Sequence, residues 1–129
     1  MTQELNVVDS SGWLEILVGG KNAASFESVI DGGKLIVPAI SIFEVCKRAL
    51  LLGTEKQAQR IEKHMRRFPV IDLTADRASR AARLSIQHKL PMADSLIYAT
   101  ALEFNATLWT QDEDFAAIKG VRYLNAGRV

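Results

Sequence analysis

Short apolar segments alternate with longer amphipathic ones along this chain of 129 residues, and this alternation restricts its fold more than any other feature. Five segments have the pattern of short buried strands: 5–9, 35–38, 69–73, 107–110 and 121–124. Helical spacing predicts helices between them, over 13–17, 23–30, 39–52, 54–68, 75–88, 92–104 and 112–118. The alternation therefore predicts a single α/β domain over residues 1–129, in which a parallel sheet has helices on both faces.

Several predicted helices also carry local start signals. Ser41 is the expected N-cap of one helix, and Glu44, three residues later, is the expected partner in a capping box. Thr54 and Thr74 are the expected N-caps of the next two helices. Pro91 suits the first turn of the last long helix, because that turn needs no backbone N–H from it.

The composition excludes several kinds of functional site. Cys46 is the only cysteine, and His64 and His88 are the only histidines, so an internal disulfide, a cysteine-rich zinc site and a three-histidine site cannot form. The formal net charge is only +1, so nucleic-acid binding would need a local basic patch. The chain lacks an export-signal pattern and any apolar run that could span a bilayer, so we expect a cytoplasmic protein.

Four acidic residues lie at the ends of predicted strands or near the starts of predicted helices: Asp9, Glu44, Asp94 and Asp112. In a parallel sheet the carboxyl ends of the strands share one edge, and ligands bind there. Asp9 and Asp112 follow strands, and Glu44 lies near the start of a helix at that edge. Asp94 reaches it only if its helix starts there, whereas a simple up-and-down path puts that first turn at the opposite end.

Acids brought together in this way would repel one another and raise one another's pKa values, and a divalent cation removes that difficulty. Because all the ligands would be carboxylate oxygens, Mg²⁺ or Mn²⁺ is expected. Each acid also has a local interpretation: a turn residue for Asp9, a capping box or an ion pair with Arg48 for Glu44, a helix-dipole contact for Asp94, and a helix cap for Asp112. The metal-site hypothesis depends on their order and context.

The stretches around these acids resemble the motifs of the PIN domain family. VVDSS at 7–11 resembles its opening strand, SIFEV at 41–45 its second acidic motif, and LWTQDEDF at 108–115 its fourth. LPMADSLIYATA at 90–101 resembles the third motif and is the most specific of the four. The resemblance extends over almost the whole chain, and the size and layout are most similar to the VapC toxins of toxin–antitoxin pairs.

The resemblance implies a three-layer α/β/α sandwich with a central parallel sheet and a Mg²⁺- or Mn²⁺-dependent endoribonuclease. It implies that the catalytic and metal-binding quartet is Asp9, Glu44, Asp94 and Asp112, so that Asp94 does reach the cluster. Thr110 and Ser11 match polar positions that support the site, and Asp114 competes with Asp112 for the fourth position. The resemblance further implies an RNA substrate, a homodimer, and a small antitoxin protein that inserts into the acidic groove.

An acidic site that cleaves RNA needs flanking cations, and two helices supply basic rows. One row consists of Arg60, Lys63 and Arg67, and the other of Arg77, Arg80 and Arg83. Either row could follow a phosphate backbone. The alternative is an ordinary solvated helix face whose charges are neutralised by acids such as Glu55, Glu62 and Asp76.

Two other functions would use the same fold: a structure-specific DNA nuclease and a non-catalytic interaction module. A chain of 129 residues leaves little room for elements that grip duplex DNA, and four mutually repelling acids argue against a module without catalysis. A haloacid-type phosphatase would need a second aspartate two residues after Asp9, where this chain has Ser11.

Overall fold

The computed structural model describes residues 4–127, so the two ends of the expected 1–129 domain lie outside it. The described strands are β1 (Asn6–Val8), β2 (Val37–Pro38), β3 (Val70–Ile71), β4 (Thr107–Thr110) and β5 (Val121–Tyr123). The described helices are α1 (Ser10–Val18), α2 (Ala23–Asp31), α3 (Ala39–Leu52), α4 (Glu55–Met65), α5 (Ala75–His88) and α6 (Met92–Glu103), and a 3₁₀ turn spans Glu113–Phe115. None of these helices has the length and apolar character to cross a membrane.

All strand pairings between the described residues are parallel. The order β1-β4-β5 forms one ladder and β2-β3 another, and a parallel bridge between Asn6 and Leu35 joins them. In the first ladder Val8 is paired with Trp109, so the next residues, Asp9 and Thr110, lie side by side at the carboxyl ends of β1 and β4. The expected parallel sheet is therefore confirmed, although several of its strands are shorter than the apolar segments that predicted them.

Neighbouring residues in the strands pack against opposite layers of helices. Val8 and Val37 belong to a core cluster with the helices α1 to α4, whereas Val7 and Ile36 belong to a second cluster with α6. This separation follows from the two-residue period of strand side chains. Trp13, which lies in the first cluster, is fully buried. The expected three-layer α/β/α sandwich is thus confirmed.

Two of the three predicted N-caps are confirmed, and the third is wrong. Thr54 forms a complete capping box with Gln57, and the Thr74 side chain accepts a hydrogen bond at the start of α5. Ser41 caps nothing, because α3 begins two residues earlier, directly after Pro38, whose extended backbone joins β2 to the helix. Ser41 is instead buried inside the first turn, and its Oγ has no partner within residues 4–127.

Helix α1 begins at Ser10, immediately after Asp9, rather than at the predicted residue 13. Gly12 makes this early start possible. A Cβ atom on it would lie only 2.6 Å from Val8 Cγ1 and 2.7 Å from Phe26 Cδ1. The missing side chain lets the first turn of α1 pack closely against β1 and α2, which fixes the backbone that carries Asp9.

Candidate metal centre at the carboxyl ends of the strands

Three of the predicted acids meet in one small volume. Asp9, Asp94 and Asp112 each offer a carboxylate oxygen, and these atoms lie within 4.8 Å of one another. Asp9 follows β1, Asp112 comes two residues after the end of β4, and Asp94 lies in the first turn of α6. The edge of the sheet predicted from the strand pattern is therefore where these carboxylates converge.

The simple up-and-down path, which put Asp94 at the opposite end, is wrong. Helix α6 ends at Glu103 and a short turn leads directly into β4, so α6 runs antiparallel to that strand and its first turn lies at the strand's carboxyl end. Helices α5 and α6 form an antiparallel hairpin, in which Arg77 near the start of α5 contacts Glu103 at the end of α6. The direction of α6, and with it the position of Asp94, therefore follows from the short connection between α6 and β4.

Hydrogen bonds hold the Asp9 carboxylate in one orientation. Its Oδ2 accepts hydrogen bonds from Thr110 Oγ1 at 2.8 Å and from Ser11 Oγ at 3.0 Å. Its Oδ1 is buried and has no hydrogen-bond partner among the described residues. A buried carboxylate oxygen without a partner is costly, so this atom has an unmet capacity to accept a hydrogen bond or a ligand.

Burial and mutual repulsion both favour the protonated acids. Burial raises the pKa of Asp9 from its ordinary value of 3.8 to about 6, against the hydrogen bonds from Thr110 and Ser11, and the charge of Glu44 adds to the rise. Burial, followed by the charge of Asp9 and then that of Asp112, raises the pKa of Asp94 from 3.8 to about 8. The charge of Glu44 thus disfavours ionisation of Asp9, and the charges of Asp9 and Asp112 disfavour ionisation of Asp94.

These residues fit a hard divalent cation. The ligand atoms are all oxygens, one buried oxygen has no partner, and a positive charge between the carboxylates would offset the repulsion that raises the pKa of Asp94. No cysteine or histidine belongs to this group of three acids, which is the ligand chemistry of Mg²⁺ or Mn²⁺ rather than of zinc.

Comparison with known proteins identifies the family. The PIN domain family model matches residues 7–121. The chain belongs to the PIN domain family. A search of curated proteins finds no match.

Solved structures have the same fold. A toxin–antitoxin complex from Klebsiella pneumoniae is 26% identical, with a TM-score of 0.74, and the match covers 91% of this chain and 95% of that one. VapC20 from Mycobacterium tuberculosis, described as a sarcin–ricin loop cleaving toxin, is 15% identical, with a TM-score of 0.73 and coverage of 88% and 94%. DNA-bound VapBC from Salmonella typhimurium is also 15% identical, with a TM-score of 0.73 and coverage of 95% and 98%. At 15% identity the likeness shows the fold alone.

In this PIN domain Glu44 lies beside the three aspartates without belonging to their group. Its Oε1 accepts a hydrogen bond from Ser10 Oγ at 2.7 Å, and its charge contributes to the raised pKa values of Asp9 and Asp94. It forms neither the capping box nor, within residues 4–127, an ion pair with Arg48. Ser10 was not a predicted site residue, although its position next to Asp9 was the signal that could have identified it.

The PIN domain also distinguishes between the two candidates for the fourth acid. Asp112 belongs to the group of three, and its backbone N–H donates to Thr110 Oγ1 at 2.9 Å. Its Oδ1 accepts from the backbone N–H of Asp114 at 2.9 Å, so Asp112 also caps the 3₁₀ turn as the local interpretation predicted. Asp114 is exposed and lies outside the group.

Proposed function

We propose that this PIN domain is a Mg²⁺- or Mn²⁺-dependent endoribonuclease and the toxin of a type II toxin–antitoxin pair. The observation that supports the nuclease most directly is the convergence of Asp9, Asp94 and Asp112 around a buried oxygen of Asp9 that has no partner. The toxin assignment is supported by the similarity to the Klebsiella pneumoniae toxin–antitoxin complex along almost the full length of both chains.

Asp9 and Asp94 are the proposed direct metal ligands, with Asp112 and Glu44 completing the acidic site. When bound, the divalent cation supplies a water of lowered pKa and positive charge for the phosphorane-like transition state. Thr110 and Ser11 hold Asp9 Oδ2, which leaves Oδ1 directed to a ligand. Ser10 holds Glu44 Oε1, and Glu44 would orient the attacking water and accept its proton.

The nuclease proposal is tested with purified protein, Mg²⁺ or Mn²⁺, and labelled single-stranded RNA. Asp9→Asn and Asp94→Asn should each abolish cleavage while circular dichroism shows an unchanged fold. Asp31→Asn is the matched control, because Asp31 is an exposed aspartate at the end of α2 and should retain wild-type activity. Full RNA cleavage by either site variant would remove that residue from the mechanism, and cleavage of structured DNA in place of RNA would assign the alternative nuclease function.

The toxin proposal includes a small antitoxin that inserts into the acidic groove, a homodimer, a cytoplasmic location and a single domain over the chain. Expression of the wild-type chain without a partner should slow growth of the host, and Asp94→Asn should remove this effect. Harmless expression of a protein that cleaves RNA in vitro would refute the toxin role and leave the nuclease role intact. Light scattering of the purified chain tests the homodimer.

A further inference from the structure

The two basic rows differ in whether acids neutralise them. In the α5 row, Arg77 donates to Glu103 Oε2 and Arg80 also pairs with Glu103. Arg83, the third member, donates to Ser79 Oγ and the Ser79 carbonyl on its own helix. This row therefore stabilises the α5–α6 hairpin. The alternative interpretation predicted that an acid would neutralise this row, and the acid is Glu103 rather than Asp76.

The α4 row is free of such partners. Lys56, Arg60 and Lys63 fall within a sector of about 60° on the helix, since each residue advances by about 100°, and Arg67 follows in the turn after the helix ends at Met65. Together they form what we call the basic stripe, and all four are exposed. Within residues 4–127 none of them forms an ion pair. The two acids of α4 have other partners, since Glu62 pairs with Arg66 and Glu55 accepts from Gln59.

The basic stripe borders a groove that adjoins the metal centre through a second groove. Arg60, Lys63 and Arg67 line the first groove together with Leu17 of α1. Leu17 also lines the second groove, which contains Arg48 and extends to Ser11 and Gln111. Ser11 and Gln111 in turn line the depression that contains Asp112.

Glu15 is the one acid among the residues that line this second groove, and its carboxylate is already occupied. Glu15 Oε2 accepts from the Asn22 N–H at 2.9 Å, and Glu15 Oε1 accepts from the Gln111 side chain at 3.2 Å. The path from the metal centre to the basic stripe therefore leaves a depression that Glu113 and Asp114 also line, and then passes Arg48 and an acid whose oxygens are bonded to the protein.

We propose that the basic stripe of α4 binds phosphate groups of the RNA strand whose scissile bond lies at the metal centre, with Arg48 between the two. This inference rests on the proposed function and deepens it, because it assigns the strand's path over α1 towards α4. Unpaired cations along α4 and in the turn after it suit a single strand, whose affinity comes largely from phosphate contacts and the counterions that these release.

The test compares two triple variants with the same change of net charge. Arg60→Gln/Lys63→Gln/Arg67→Gln removes three cations of the basic stripe, and glutamine keeps a good helix propensity. Lys34→Gln/Arg66→Gln/Arg83→Gln is the control, since these exposed residues lie outside the basic stripe and Arg66 is ion-paired with Glu62. Fluorescence anisotropy measures the affinity of each protein for a fluorescein-labelled, mixed-sequence RNA oligonucleotide over a range of salt concentrations.

Loss of three phosphate contacts in the stripe variant should make the fall of log K, the association constant, with log salt less steep by about 2. This change corresponds to about 100-fold weaker binding at about 0.1 M salt. The control variant should keep the wild-type slope. Equal slopes in the two variants, or loss of affinity for duplex DNA but not for RNA, would overturn the inference.

The two proposals fail in different ways. If the wild-type protein cleaves RNA with divalent cation while the stripe variant binds as the control does, the nuclease stands and the basic stripe is not its RNA-binding surface. If the wild-type protein cleaves no RNA but the stripe variant loses RNA affinity and salt dependence, the stripe stands and the nuclease function fails.

Discussion

Replacing the Asp9 carboxylate with an amide should stabilise the metal-free protein, although the same change abolishes the proposed activity. Asp9→Asn keeps an oxygen that can accept the hydrogen bonds from Thr110 and Ser11, and it removes a charge from a buried position. The gain in stability is therefore the cost of keeping Asp9 ionised in the folded protein.

The size of the gain follows from the pKa of Asp9. A rise from 3.8 to about 6 corresponds to about 3 kcal/mol, at about 1.4 kcal/mol per pKa unit. Because the folded protein holds this proton more tightly than the unfolded chain does, stability is highest below about pH 4, falls as the pH rises to about 6, and is constant above that. Asp9→Asn should thus equal the wild type at about pH 4 and exceed it by about 3 kcal/mol at about pH 8. Loss of the Asp9 charge also lowers the pKa of Asp94, which adds a change of the same sign.

Urea unfolding in EDTA, followed by the fluorescence of Trp13 and Trp109, measures this difference at the two pH values. Asp31→Asn, an exposed aspartate, is the control and should show no comparable difference between the two pH values. Saturating Mg²⁺ should stabilise the wild type, by about 2.7 kcal/mol at 100 times the Kd, and should do little for Asp9→Asn. An Asp9→Asn protein that is less stable than the wild type in EDTA at high pH would refute this account of the site.

Three further predictions concern the proton at the metal centre, the close packing at Gly12 and the starts of two helices. Because the pKa of Asp94 is about 8, Mg²⁺ binding at neutral pH should release a proton and tighten as the pH rises through that value; calorimetry in buffers of different ionisation enthalpy measures the release, and its absence would contradict the raised pKa. Gly12→Ala should destabilise the fold by about 1–3 kcal/mol, since its Cβ would overlap Val8 and Phe26; unchanged urea unfolding would show that the close approach is not needed. Thr54→Ala should cost about 1 kcal/mol through loss of its cap, whereas Ser41→Ala, which removes a hydroxyl without a partner, should cost less than about 0.5 kcal/mol; equal losses in thermal unfolding would contradict the assignment of helix starts.

The candidate site shows which of its residues the sequence pattern alone could place there. That Asp9 and Asp112 would meet followed from two parallel strands ending at one edge, and the structure has both strands adjacent in the sheet. The position of Asp94 did not follow in the same way, because two helices lie between β3 and β4 and the helical pattern alone does not say which of them starts at that edge. The resemblance to PIN domain motifs did predict that Asp94 reaches the group, since those motifs reflect the complete fold.

Local signals alone determined the alternation of strands and helices and the caps at Thr54 and Thr74, because each of these depends on residues within about one turn of helix. Only the tertiary structure decided the role of Glu44, which accepts a hydrogen bond from Ser10, 34 positions away in the sequence. It also decided the difference between the two basic rows, because Arg77 pairs with Glu103, 26 positions away. Such contacts depend on how the helices pack and on the direction in which each one runs, and periodicity within a segment carries no information about either.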